Sequence, residues 1–232
     1  FSFSAEATTY YVSNSGNDNN SGTSASSPWQ TINKVNSFKK FSPGDNILFN
    51  RGNTFYGSIT VSNSGSSGNP ITFGAYGSGA NPIITGFTNV TSWTNLGGNI
   101  WESTTAVSTL STCGMVIING VNTPMGRYPN SSAGYLIYQS ATSNTSITSS
   151  SLTGTPDWTG ATLVLRKYNW IIDAGTLTSQ SGGTLNYTGT SSYSGLANQG
   201  FFIQNDLRTL DTANEWYYNP STKKLDIYST SS

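Results

Sequence analysis

Ten carboxylates, ten cations and no histidine bound the chemistry open to this 232-residue sequence. Without histidine, Ser-His-Asp and Cys-His catalysis fall away, as does every His-ligated metal centre. Glycoside hydrolysis takes two carboxyls across a sugar-sized gap, but the ten acids are dispersed: Glu6, Asp18, Asp45, Glu102, Asp157, Asp173, Asp206, Asp211, Glu215 and Asp226. Asp206 has a charged neighbour at strand-face spacing, Arg208, and an ion pair or turn contact explains that more simply than catalysis. Asp18 and Asp45 sit in turns, where a carboxylate satisfies nearby N–H groups. A β-eliminating lyase would need a base beside a calcium ion held by several acidic oxygens. Arg166-Lys167 is the only basic pair in a strand-like run, and adjacent strand residues point to opposite faces, so the two make no common patch. Arg127 is the best single candidate for contact with an anionic sugar, against the plainer expectation that it pairs with a carboxylate or caps carbonyls. No catalytic residue, metal ligand or cofactor site is assigned.

Aromatics are the more promising feature. The 29 Phe, Tyr and Trp residues stand in a chain with only 9% charged residues and 94 of 232 positions occupied by Ser, Thr or Asn. Aromatic rings on so neutral a surface stack on sugar rings, and Tyr hydroxyls add hydrogen bonds. Trp216, Tyr217 and Tyr218 are the first glycan-contact candidates beside Arg127; burial in the interior is the competing expectation for each. Zero net charge without a basic cluster argues against nucleic acid. The longest apolar runs are four or five residues, too short to span a membrane. Cys113, the single cysteine, reads as a small core residue beside Met115 to Ile118.

These residues are positioned by short strands. Asn46 to Phe49, Phe55 to Val61, Ile71 to Phe73, Ile83 to Thr85, Met115 to Ile118, Thr162 to Ile172, Gly200 to Gln204 and Leu225 to Tyr228 have strand character between Gly, Asn and Ser turns. One helix is predicted over about 27 to 38, with Ser27 as N-cap, Pro28 at the first helical position and Gln30 closing a capping box. The Ser/Thr/Gly stretches at 140 to 155 and 178 to 195 read as surface excursions, and no composition shift marks a domain boundary, 131 to 155 being the weakest place in that respect. Such strands suit a sandwich, a barrel or a β-solenoid.

Several phrases resemble secreted right-handed parallel β-helix proteins of the pectate-lyase-like superfamily, in their N-terminal portion. They run from Tyr10-Tyr11-Val12-Ser13 and Ser27-Pro28-Trp29-Gln30 through Pro43-Gly44-Asp45, Arg51-Gly52 and Gly68-Asn69-Pro70-Ile71 to Arg127-Tyr128-Pro129-Asn130, Asp206 to Leu210 and Glu215-Trp216-Tyr217-Tyr218. The resemblance implies an all-β fold: a right-handed parallel β-helix (β-solenoid) over residues 8 to 232 as one domain, with a short capping helix and β-hairpin excursions. Asn53 and Asn214 depart from the family's pattern, which has an acidic residue and a glycine there.

Members of that family include polysaccharide lyases, glycoside hydrolases and non-catalytic surface or fibre proteins. Two functions follow as expectations. The first is an extracellular or cell-surface structural module, non-catalytic alone, that contacts polysaccharide and assembles with copies of itself. Residues 1 to 7 would then be a donor strand carrying Phe1, Phe3 and Ala5. The alternative is part of a secreted polysaccharide lyase or glycoside hydrolase whose catalytic coils lie beyond residue 232. Ala5-Glu6-Ala7 resembles a leader cleavage signal, so both expectations include export.

Overall fold

The computed structural model describes residues 6–230. It is all-β with almost no helix, and its backbone divides into two compact units, Phe1–Asn89 and Val90–Ser232.

In the first unit, β1 (Thr9–Val12), β2 (Asn46–Asn50) and β4 (Thr72–Tyr76) form a parallel sheet, and β3 (Thr54–Tyr56) pairs in parallel with β5 (Ile83–Thr85). Alternation sends Tyr10, Val12, Ile47 and Phe49 inward. They meet Trp29 and the buried Ile32 and Val35 of α1 (Ile32–Ser37), the one α-helix among the described residues. The Tyr10 ring stacks on Trp29 with centroids 4.8 Å apart.

The helix begins later than the sequence predicts. Trp29 is bridged to Val12: its N–H donates to the Tyr11 carbonyl at 2.9 Å, and its own carbonyl accepts from the Ser13 N–H at 2.8 Å. That pairing holds Pro28-Trp29 extended. Thr31 is the cap instead, its Oγ1 accepting from the Lys34 N–H at 3.1 Å. Asp18 braces it from outside the helix, accepting from the Gln30 and Thr31 N–H groups at 2.7 and 2.9 Å. Asp45 fulfils its expected turn role, accepting from the Thr8 and Ser42 N–H groups.

The second unit is built on antiparallel pairing. Its large sheet runs β10 (Arg127–Tyr128), β17 (Gln199–Gln204), β14 (Thr162–Tyr168), β15 (Ile171–Ser181), β16 (Thr184–Tyr187), β13 (Ser146–Thr148) and β12 (Ser140–Ser143), with β11 (Leu136–Tyr138) also pairing β17. A four-stranded sheet orders β18 (Trp216–Tyr218), β19 (Leu225–Tyr228), β7 (Ile100–Ser103) and β6 (Trp93–Gly97). A hairpin joins β8 (Val116–Ile118) to β9 (Val121–Thr123) through Asn119-Gly120, both at positive φ, as a tight two-residue hairpin turn demands. The largest core buries Tyr138, Ile147, Trp158, Leu163, Leu165, Leu185, Tyr187, Phe201 and Ile203. Ile147, Leu185 and Tyr187 come from the stretches expected to be surface excursions.

The expected solenoid is not formed. Among the described residues, eleven of fourteen strand ladders are antiparallel, and the three parallel ones lie in the first unit. The reason is connection length. Only Asn169-Trp170 separates β14 from β15, whereas a parallel crossover takes a dozen residues or more.

Candidate functional site

Strand β14 shows how the large sheet sorts its residues. Leu163, Leu165 and Lys167 are buried, while Val164, Arg166 and Tyr168 lie on the other face. On β17, Phe201 and Ile203 go inward and Phe202 outward. The register sets Val164 beside Phe202 and Arg166 beside Ile172, so the outer side chains share one surface. There they line a cleft of about 370 Å³ with Tyr135, Ile137, Gln199 and Gly200.

Tyr135 is the cleft's wall, with 63% of its surface exposed. It lies so close over β17 that a Cβ on Gly200 would sit 3.1 Å from its own Cβ, so glycine makes room for it. Arg127 packs against the ring. The guanidinium lies 4.1 Å from the Phe202 centroid and 5.1 Å from that of Tyr135. Its Nε donates to the Pro129 carbonyl at 2.9 Å and a terminal nitrogen donates to the Gly134 carbonyl. The carbonyl-capping expectation for Arg127 therefore describes its contacts, and its guanidinium also lies against the Tyr135 ring. Nearby on the sheet, Tyr168 touches Trp170 and Tyr193 at centroid distances of 5.3 and 5.6 Å, and Trp170 is 74% exposed.

The inner face carries a buried ion pair. Lys167 Nζ lies 2.8 Å from Asp173 Oδ2 with both side chains fully buried, and it also donates to the Asn144 carbonyl at 2.7 Å. Asp173 further accepts from the Thr190 hydroxyl and from the N–H groups of Ala174, Thr190 and Ser191. Burial alone would raise its pKa, but Lys167, Thr190 and Ser191 outweigh it and hold the carboxyl at about 2. The pair locks the core.

The other sequence candidates are structural in their contacts. Trp216 is 3% exposed and donates through Nε1 to the Thr123 carbonyl at 2.8 Å. Tyr218 is buried and donates to the Leu110 carbonyl at 2.7 Å. Tyr217, half-buried between them, has its hydroxyl pKa raised by burial and by Asp206 and Asp226. Asp206 is clamped by Arg208 through Nε at 2.8 Å and a terminal nitrogen at 2.6 Å, the ion pair expected from the sequence. Cys113 packs, half-buried, against the cluster around Trp216. Phe1, Phe3 and Ala5 lie outside the described residues.

One carboxyl pair escaped the sequence. Cross-strand pairing sets Glu102 opposite Asp226 although they are far apart in the chain. Lys224 pairs with Glu102 at 2.6 Å. Burial, then Glu102, raises the Asp226 pKa to about 6, with Lys224 opposing. A carboxyl raised by a neighbouring carboxyl is a feature of glycosidase acids, but Asp226 is only 3% exposed and does not line the cleft on the large sheet. The alternation around Trp101-Glu102-Ser103 and Leu225-Asp226-Ile227 was the available signal.

No family model matches the chain. A 77-residue stretch is 39% identical to a lacto-N-biosidase of Bifidobacterium longum, covering 32% of this chain and 5% of that protein. A solved glycoside hydrolase superimposes on 97% of this chain and 44% of its own, with TM-score 0.73 and 17% identity. A lacto-N-biosidase from Eubacterium ramulus is 37% identical across 32% of this chain and 12% of its own, with TM-score 0.30. The chain thus spans less than half the length of each of these proteins, and it shares the fold of part of the glycoside hydrolase structure. That likeness, with the antiparallel sheets, overturns the pectate-lyase-like assignment.

Proposed function

We propose that this chain is a saccharide-contacting portion of a glycoside hydrolase. The observation that carries the proposal is the cleft on the large sheet: an exposed Tyr135 held rigid by Gly200 and Arg127 above an apolar floor, with Gln199 to meet hydroxyls. A ring held in this way stacks on a sugar at little entropic cost. The similarities to lacto-N-biosidases and to a glycoside hydrolase fold support an oligosaccharide as the substrate of the intact enzyme. They favour this reading over the self-assembling module, whose strand lies outside the described residues. Hydrolysis belongs to carboxyls beyond this cleft, since no Asp or Glu lines it. An extracellular location is part of the proposal, because such substrates are met there.

The test is a glycan array and a reducing-sugar assay on residues 1 to 232. Binding that Tyr135→Ala abolishes, without sugar release, is expected. Binding to no glycan, or turnover by this chain alone, would overturn the proposal.

A further inference from the structure

Among the cations of the second unit, Arg166 stands apart. Lys167 is paired with Asp173, Arg208 with Asp206 and Lys224 with Glu102, while Arg127 and Lys223 donate to carbonyls. Among the described residues Arg166 has no ion pair or side-chain hydrogen bond, and it is exposed. It is also the one charged residue lining the cleft. Its neighbours there are Val164 two residues before it on the strand and Ile172 opposite, neither able to neutralise it. A guanidinium fork on an apolar floor, with no carboxylate beside it, matches a ligand that brings its own anion.

We propose that the cleft binds a saccharide carrying an acidic substituent, a carboxylate or a sulfate, with the acidic group on Arg166 and a sugar ring against Tyr135. This rests on the saccharide-contacting reading above and adds the charge of the ligand. The volume suits a short glycan rather than a protein surface, since it lies near the small end of ligand pockets, about 300–1,000 Å³. Zero net charge and a single unpaired arginine, in place of a basic track, select against nucleic acid.

Lactose, sialyllactose and sulfolactose test the idea by calorimetric titration of the 232-residue chain at low and moderate salt. Both acidic sugars, or the one whose anion fits, are expected to bind roughly tenfold tighter than lactose, as one charge-assisted contact allows. Arg166→Gln should bring both acidic sugars down to the affinity that the same variant shows for lactose; Tyr135→Ala should weaken all three. Melting curves identical to the parent's verify folding of the Arg166 variant. Lactose binding through Tyr135 with no acidic preference, or an acidic preference that survives Arg166→Gln, overturns this inference alone. Failure of all three sugars to bind overturns this inference, and the saccharide-contacting reading falls with it when the glycan array is also blank.

Discussion

Removing the Lys167 ammonium should be among the most damaging single changes in this protein. In Lys167→Met the stem still fills its space, but the Asp173 carboxylate stays buried without its counter-charge at 2.8 Å. The Asn144 carbonyl, which accepts from Lys167 at 2.7 Å, keeps only the Tyr187 hydroxyl at 3.0 Å. Breaking one half of a buried pair costs about 3–5 kcal/mol. For a chain of this size that lowers the melting temperature by roughly 6–20 °C. The N–H and hydroxyl donors from Ala174, Thr190 and Ser191 remain, which favours the lower part of that range.

The pH dependence gives the sign. Asp173 titrates at about 2 in the folded protein against an ordinary 3.8. The depressed value means its contribution is fully present above about pH 4 and is lost as pH falls toward 2, about 2 kcal/mol in all. In Lys167→Met the carboxyl pKa rises, so the deficit against the parent should be largest near neutrality and shrink below pH 4. Urea denaturation of Lys167→Met, Asp173→Asn and the double variant, at several pH values, measures both effects. A deficit below about 1 kcal/mol, a pH-independent deficit, or additive single costs would refute the reasoning.

Asp226→Asn should act in the opposite sense. Its raised value of about 6 means stability is lost as pH climbs from about 4 through 6, so the amide should be more stable than the parent by about 2–3 kcal/mol at pH 7.5 and nearly equal at pH 4, by urea denaturation. Gly200→Ala should displace Tyr135, abolishing saccharide binding in titration at a stability cost of about 1–3 kcal/mol, because the added methyl meets the Tyr135 Cβ, which moves only with its backbone. Trp216→Ala should cost about 3–5 kcal/mol by thermal melting and leave saccharide affinity unchanged, whereas a glycan platform would show the reverse.

The sequence carried the strands better than their partners. Strong alternation marked most of the core strands, but β12, β13 and β16 have one or two apolar residues each among Ser and Thr, and tertiary burial of Ile147, Leu185 and Tyr187 is what makes them strands. The predicted cap at Ser27 had the right residues in the right order. It lost because Trp29 gains a backbone partner in Val12 and a ring partner in Tyr10, neither of which the local sequence reveals. The aromatic triplet Trp216-Tyr217-Tyr218 looked like a platform, and half of its promise was alternation: Trp216 and Tyr218 share the buried side. Tyr135 was missed because it falls in 131 to 155, the Ser- and Thr-rich stretch that looked most like a break in the domain.

The clearest lesson lies in two adjacent residues. The sequence already implied that Arg166 and Lys167 face opposite ways, but not which way each points. Asp173 decides it: five residues after β14 ends, across a two-residue turn, it returns on β15 facing inward and can neutralise only Lys167. The strand's hydrophobic alternation then leaves Arg166 on the cleft with no acid in reach. The same pairing that stabilises the core thus makes an arginine available for a ligand. Stability and binding should separate cleanly at these neighbours: Lys167→Met lowers the melting temperature with the remaining folded protein still preferring acidic sugars, and Arg166→Gln removes that preference at unchanged melting temperature. If both variants shifted both properties together, the two faces of β14 would not be independent, and the assignment of one to the core and the other to a ligand would fail.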